Sequence, residues 1–358
     1  MTNLDDLNQI KKLDPINVLG SIEQLGLQCQ QAWTESLNIK FPSNYKQIKN
    51  VVVCSMGGSR FTPLIIKELY KKEIQIPYII NDDYDLPGFV NNTTLVILSS
   101  YSGNTEEVIS CGQQALKKQA KITGICSGGE LAQLLRSNSL PVYIFNPIHN
   151  PCAQPRIGVG YMTLGHLGLL YNTGLINITP SKIQGILSNF IKIIHSFDAK
   201  ISTTNNLAKQ FAIKLFNRYP YYIVSEHLVG SGNAIANQTN ENSKAISSFR
   251  IIPELNHHLM EGLSSPKIHQ KLALFIFFQS RLYHKRIQQR YVVTKDVVKK
   301  IGVETLDYNF KSQTKLGQVL EMITFGSFTT MYLSFLYGED PSLIPWVDYF
   351  KKKLKEMS

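Results

Sequence analysis

The chain has 358 residues, of which 43% are hydrophobic and 18% charged, with a formal net charge of +11. That length exceeds one ordinary core and predicts two domains of about 150–180 residues each; the composition excludes global disorder, and no run of about 18 uninterrupted apolar residues marks a membrane span. Five cysteines without a C-x-x-C pair speak against a disulfide framework or a zinc site, and basic residues scattered without a zinc-finger, helix-turn-helix or aromatic-basic signature speak against nucleic acid.

In chain order, residues 1–48 read as a helical segment, with Leu7, Ile10, Leu13, Val18, Ile22 and Leu25 at roughly helical intervals broken by Pro15. The start, Met-Thr-Asn-Leu-Asp-Asp, is acidic and lacks the basic-then-apolar pattern of a signal peptide, so a cytoplasmic location is expected. From residue 49 the pattern changes. Short apolar runs at 51–54, 77–80, 94–98, 121–125 and 141–145 alternate mostly with helical stretches at 63–72, 104–119 and 130–137. This is the signature of βαβ units: an α/β fold with a parallel sheet covered by helices on both faces.

Residues 157–200 read as helical and connective. Beyond about 201 the alternation resumes. A helix at 207–218 precedes a strand at 221–225, a Gly230-Ser-Gly232 turn and a helix through 243–244; apolar runs follow at 272–278 and 290–293, then an apolar helix at 315–337. The reading is a helical segment (1–48), a first α/β domain (49–200) and a second of similar plan (201–358).

Four segments carry candidate chemistry. In Leu98-Ser-Ser-Tyr-Ser-Gly-Asn-Thr-Glu-Glu107 a buried-type strand enters a turn of hydroxylated residues and a helix starts at once. Ser100, Ser102 and Thr105 offer hydroxyls, Gly103 lets the backbone approach, and the helix start adds amide donors and a dipole favouring an anion. No lysine follows the glycine, which excludes a Walker A loop. A capping box with Ser102 or Asn104 at the N-cap is the simpler alternative, and it accounts for one hydroxyl of the three.

Gly57, Gly58 and Ser59 form a second strand-to-helix turn in which glycines permit close approach and Ser59 can cap the helix or meet a ligand. In Gln154-Pro155-Arg156 the proline stiffens the support of an arginine that could equally be a surface residue. Asn240-Glu241-Asn242-Ser243-Lys244 and Glu254-Leu255-Asn256-His257-His258 are polar clusters that suit two edges of one cleft.

Taken in order, Gly57-Gly58-Ser59, Ser100 to Thr105, Gln154 to Arg156, Asn240 to Lys244 and Glu254 to His257 resemble the bifunctional phosphoglucose/phosphomannose isomerases of the sugar isomerase (SIS) superfamily, over roughly residues 50–358. The resemblance implies two SIS-type, flavodoxin-like domains, each with a five-stranded parallel sheet. It implies interconversion of glucose 6-phosphate, and of mannose 6-phosphate, with fructose 6-phosphate through a cis-enediol(ate), with no cofactor and no metal. Gly57, Gly58, Ser59, Ser100, Ser102 and Thr105 would hold the phosphate and nearby sugar atoms. Glu241 would be the base, Arg156 would steady the oxyanion, and His257 would open the ring, entering the partner's site in a homodimer. Thr330 matches a hydroxyl position linked to mannose 6-phosphate use.

Arg60, His258 and Tyr337 depart from the family pattern. A non-catalytic sugar-phosphate-binding regulatory protein of the same superfamily is the competing expectation. Such a binder needs only the cradle, so Glu241, His257 and Arg156 together argue for catalysis.

Overall fold

The computed structural model describes residues 2–357. Helices α1 (Leu7–Leu13), α2 (Val18–Glu23) and α3 (Leu25–Ser36) precede the first sheet. That sheet has five parallel strands, β1 (Asn50–Ser55), β2 (Tyr78–Asn81), β3 (Thr94–Ser99), β4 (Lys121–Cys126) and β5 (Val142–Ile144), in the order β2-β1-β3-β4-β5. The five expected runs supply all five strands. Along β1, Val51 and Val53 join one apolar cluster while Val52 and Cys54 join another on the opposite face. That alternation is why the strand reads as a continuous apolar run: both its faces are covered.

Helices α4 (Phe61–Leu69), α5 (Glu106–Lys117), α6 (Gly129–Ser137), α7 (Val159–Asn172) and α8 (Pro180–His195) complete this part of the chain. The order of β1 and its neighbours reverses between β1 and β3, so the loops leaving these two strands border the crevice where α/β sheets hold ligands.

The second sheet is also parallel but has four strands, not the expected five. β6 (Tyr219–Val224), β7 (Ser248–Ile251), β8 (Ala273–Gln279) and β9 (Glu304–Asn309) run in the order β7-β6-β8-β9. β7 and β9 are edge strands with half-exposed, largely polar sequences, so they leave no apolar run to read. The apolar run at 290–293 lies in a helix, which buries Tyr291, Thr294 and Val298 at spacings of three and four and leaves Val292 and Val293 exposed.

Helices α9 (Leu207–Leu215), α10 (Val229–Ser243), α11 (Leu259–Gly262), α12 (Lys267–Leu272), α13 (Lys285–Ile301), α14 (Lys315–Tyr337) and α15 (Pro345–Met357) complete the described chain. Among the described residues, α14 is the one helix long and apolar enough to cross a membrane; it is buried from Leu316 to Leu336, packed against α8, α9 and α10 as a core helix. Its acidic Glu321 is buried too, where it accepts hydrogen bonds from the Tyr308 hydroxyl (3.0 Å) and the amides of Lys311 (2.9 Å) and Ser312 (2.8 Å). One apolar cluster extends from β1 through α4 and α10 to β8, joining both sheets in a continuous interior.

Candidate active site

A cleft of about 770 Å³ opens where the loops after β1 and β3 meet the β5–α7 connection, the end of α10 and one face of α15. The loop after β3 is held by its own hydroxyls. Ser100 Oγ lies 2.7 Å from Thr105 Oγ1 and accepts from the Gly103 amide at 3.0 Å, while Ser102 Oγ accepts from the Asn104 amide at 3.3 Å. Gly103 has φ +76°, and a Cβ there would fall 1.8 Å from the Gly128 carbonyl oxygen. No side chain larger than hydrogen fits that turn without moving the neighbouring loop.

The N-cap of α5 is Thr105, not Ser102 or Asn104, and no side chain caps it. Thr105 turns its hydroxyl to Ser100, and Asn104 Oδ1 instead accepts from the Glu130 amide at 3.0 Å. The capping-box alternative therefore does not describe this helix start. A helix start lined by Ser102 and Thr105 and uncapped by side chains presents backbone donors and a positive dipole end to the cleft, which is what an anion needs.

The loop after β1 reaches the same place. Gly57 has φ +50° with nothing within 4 Å of where a Cβ would stand, while a Cβ on Gly58 would sit 3.2 Å from Arg156 Cα. Gly58 thus lets this loop close against the arginine. Ser59 does not cap a helix; its Oγ accepts from the Tyr101 amide at 2.9 Å and ties the two loops together. Arg60 turns away and pairs with Asp82 at 2.9 Å.

Arg156 is buried and fully engaged. Nε donates to Asn242 Oδ1 (2.7 Å), Nη1 to Gln154 Oε1 (2.8 Å), and Nη2 to the carbonyls of Pro341 (2.7 Å) and Ser342 (3.2 Å). Nη1 also lies 3.4 Å from Glu241 Oε2. Burial lowers the arginine's pKa, with Glu241 opposing; a guanidinium keeps its charge in such a setting. Burial also raises the Glu241 carboxyl above its ordinary value, while Arg156, Lys351 and Lys244 pull it down. Glu241 lines the cleft from the last turn of α10, so a carboxylate shifted toward neutral pH faces the phosphate-type cradle.

Lys244, also beside Arg156, has its pKa pushed down to about 8, chiefly by burial, and donates to the carbonyls of Asn242 (3.1 Å) and Asp340 (2.6 Å).

The structure thus brings Gly57, Gly58, Ser59, Ser100, Ser102, Thr105, Arg156 and Glu241 to one cleft. Two expected residues lie outside it. Thr330 is fully buried on α14, where its hydroxyl accepts from Asn242 Nδ2 at 3.0 Å; it backs the residue that holds Arg156 and does not line the cleft. His257 is exposed on the short helix Glu254–His257, away from its own chain's cleft.

The other two departures also lie elsewhere. His258 pairs with Glu254 at 3.5 Å, and the Tyr337 hydroxyl accepts from the Asn217 amide at 2.9 Å. Several lining residues escaped the sequence reading, among them Tyr84 and Lys351. Lys351, within the basic run of α15, lines the cleft with Val347, Phe350 and Leu354, spaced three and four apart on one helical face.

Residues 204–354 match the family described as the bacterial phospho-glucose isomerase C-terminal SIS domain. The chain is 32% identical to a bifunctional phosphoglucose/phosphomannose isomerase of Caldicellulosiruptor bescii, over 94% of this chain and 98% of that one. It is 26% identical to the protein of the same description from Aquifex aeolicus, over 86% and 91%. Among solved structures, a hypothetical protein from Thermus thermophilus superposes with a TM-score of 0.74 at 14% identity, covering 98% of this chain and 94% of that one. The C-terminal domain of glucosamine-fructose-6-phosphate aminotransferase from Francisella tularensis does so with 0.70 at 11%, covering 93% and 97%. At these identities the solved structures speak to the fold, whereas the sequence relatives speak to the family. The chain belongs to the bifunctional phosphoglucose/phosphomannose isomerases, and it is an isomerase.

Proposed function

We propose that this protein is a cytoplasmic isomerase interconverting glucose 6-phosphate, and also mannose 6-phosphate, with fructose 6-phosphate through a cis-enediol(ate). The observation that carries this reading is that Glu241 and the uncapped start of α5 open on one cleft. The phosphate sits at residues 100–105, held by backbone amides and the hydroxyls of Ser102 and Thr105. That anchor leaves C1 and C2 of the open-chain sugar under the Glu241 carboxylate, which moves the proton between them. Lys351 lines the same cleft and faces the negative charge that develops on the enediolate.

Ring opening falls to His257 of a second copy. Its exposure outside its own cleft supports that role. So does the surface around it: a hollow of about 340 Å³ lined by Asn256, Met260, Arg286, Arg290 and Val293, with Val292 and Ile268 exposed as well.

The test is a coupled assay with each hexose phosphate on the wild-type chain and on Glu241→Gln. Turnover should fall by about 10²–10⁴ in the variant, the usual contribution of a positioned base. Undiminished turnover would remove Glu241 from the reaction.

A further inference from the structure

The cleft contains a charge conflict. Glu106 and Glu107 occupy the first turn of α5 and both line the cleft. Alone, they complement the positive end of the helix dipole. Beside a phosphate dianion at the same helix start, they have the wrong sign.

Tyr84 bears on that conflict. It lies in the loop after β2, lines the cleft, and is exposed for an aromatic residue. Its hydroxyl donates to Glu106 Oε1. The loop is fixed to the flank of α5: the Tyr84 carbonyl accepts from Ser110 Oγ (3.0 Å) and Gln114 Nε2 (2.9 Å), and the Leu86 amide donates to Gln114 Oε1 (3.1 Å). These bonds set where the phenol stands relative to the first turn of the same helix. The Glu106 carboxylate raises the phenol's pKa to about 12, so the hydroxyl remains a donor across the neutral range.

We propose that Tyr84 is a positioning residue for anion binding: by its hydrogen bond it holds the Glu106 carboxylate at the rim, away from the Ser100–Thr105 cradle. The inference rests on reading that cradle as the phosphate site. It assigns Tyr84 no contact with the reacting carbons. Its effect is therefore on affinity and passes through Glu106.

The experiment titrates inorganic phosphate, followed by phosphorus NMR, into the full-length wild type, Tyr84→Phe, Glu106→Gln, and Tyr84→Phe combined with Glu106→Gln. Hexose phosphate kinetics are measured on the same proteins. Tyr84→Phe should weaken phosphate binding and raise KM by about fivefold, below the full scale of a charge-assisted hydrogen bond because the pair is exposed, with kcat within about twofold. Adding Glu106→Gln should restore both affinities to the wild-type value or better, and measured against Glu106→Gln alone the Tyr84→Phe loss should vanish, the signature of coupling between the two side chains. Tyr84→Phe binding phosphate as the wild type does overturns the proposal. So does a double variant as weak as Tyr84→Phe, which would make Tyr84 a direct contact.

The expected phosphate pattern in a wild-type chain that converts no hexose phosphate would sink the proposed hexose phosphate interconversion and uphold this one. A wild-type chain that binds no phosphate sinks the cradle and the proposal together.

Discussion

Arg156 Nη1 stands 3.4 Å from Glu241 Oε2, and the remaining N–H groups of that guanidinium are directed at Asn242, Gln154 and the carbonyls of Pro341 and Ser342. One buried cation thereby fixes the end of α10, the β5–α7 connection and the turn from which α15 departs. Its geometry is that of a group that orients the base. Lys351 lines the cleft from the exposed helix opposite.

Replacing Arg156 by lysine removes a planar fork that a point charge cannot reproduce. Each buried acceptor left unpaired costs roughly 1–3 kcal/mol, so the melting temperature should fall. Glu241 would also lose the fixed guanidinium 3.4 Å from its carboxylate, and a flexible ammonium held elsewhere draws its pKa down less. Activity that requires ionised Glu241 rises with pH through that pKa, so the acid limb of kcat/KM should move to higher pH. A pH–rate profile checks this, and an unmoved limb would break the functional link between the pair.

Lys351→Met should leave the fold intact, because the side chain is exposed and α15 buries none of its residues. The Lys351 charge also lowers the Glu241 pKa. Its loss should shift the acid limb upward and reduce kcat/KM by about tenfold, the scale of one charge-assisted contact. Lys352→Met is the control of equal charge; it lies on the same helix but does not line the cleft. Equal effects of the two substitutions would reduce Lys351 to a contributor of bulk charge.

Gly103→Ala tests the turn itself. The new methyl would press on the Gly128 carbonyl, and φ +76° is strained for any residue with a Cβ. The loop must give way, so phosphate affinity should drop more than tenfold and stability should fall by about 1–3 kcal/mol. Phosphate titration and thermal melting measure the two losses separately.

Glu23, half-buried near the end of α2, has its carboxyl pushed up to about 7 by burial and by Asp198, with Lys200 opposing. The folded chain therefore binds this proton more tightly than the unfolded one. The sign follows: stability is highest below the unfolded pKa and is lost as pH rises from about 4.5 to about 7. Glu23→Gln should stabilise the chain at pH 8 by roughly 1–3 kcal/mol, and by little at pH 5. Denaturant midpoints at the two pH values decide it; a gain confined to pH 5 would reverse the assignment.

The first sheet was readable from the chain because its central strands β1, β3 and β4 are buried on both faces and must be apolar nearly throughout, while its edge strands β2 and β5, though half-buried, keep the apolar runs Tyr-Ile-Ile and Val-Tyr-Ile. The second sheet was readable only at its centre, where β6 and β8 are buried. β7 and β9 lie at its edges, and one exposed face lets polar residues interrupt the pattern. The 290–293 run named no element for the complementary reason. Four consecutive residues cannot distinguish a strand from one turn of helix, and only the wider spacing to Val298 identifies α13.

Local chemistry was likewise written in the chain: a hydroxylated turn around Gly103, glycines at 57 and 58, and an arginine, a glutamate and a histidine of the right kinds in the right order. Such features depend on a few adjacent residues and on what a backbone turn permits. What the fold alone decided is which of these groups meet. Arg156 and Glu241 are 85 positions apart in the chain and become neighbours only through tertiary packing, in which α4 contacts both α7 and α10. Thr330 went behind the site because α14 is covered on every side, and His257 went outside it because its short helix sits on the surface. Lys351 entered because α15 lays one face over the cleft mouth, a placement that no local pattern of lysines encodes, since the same amphipathic helix could have covered any apolar surface within reach.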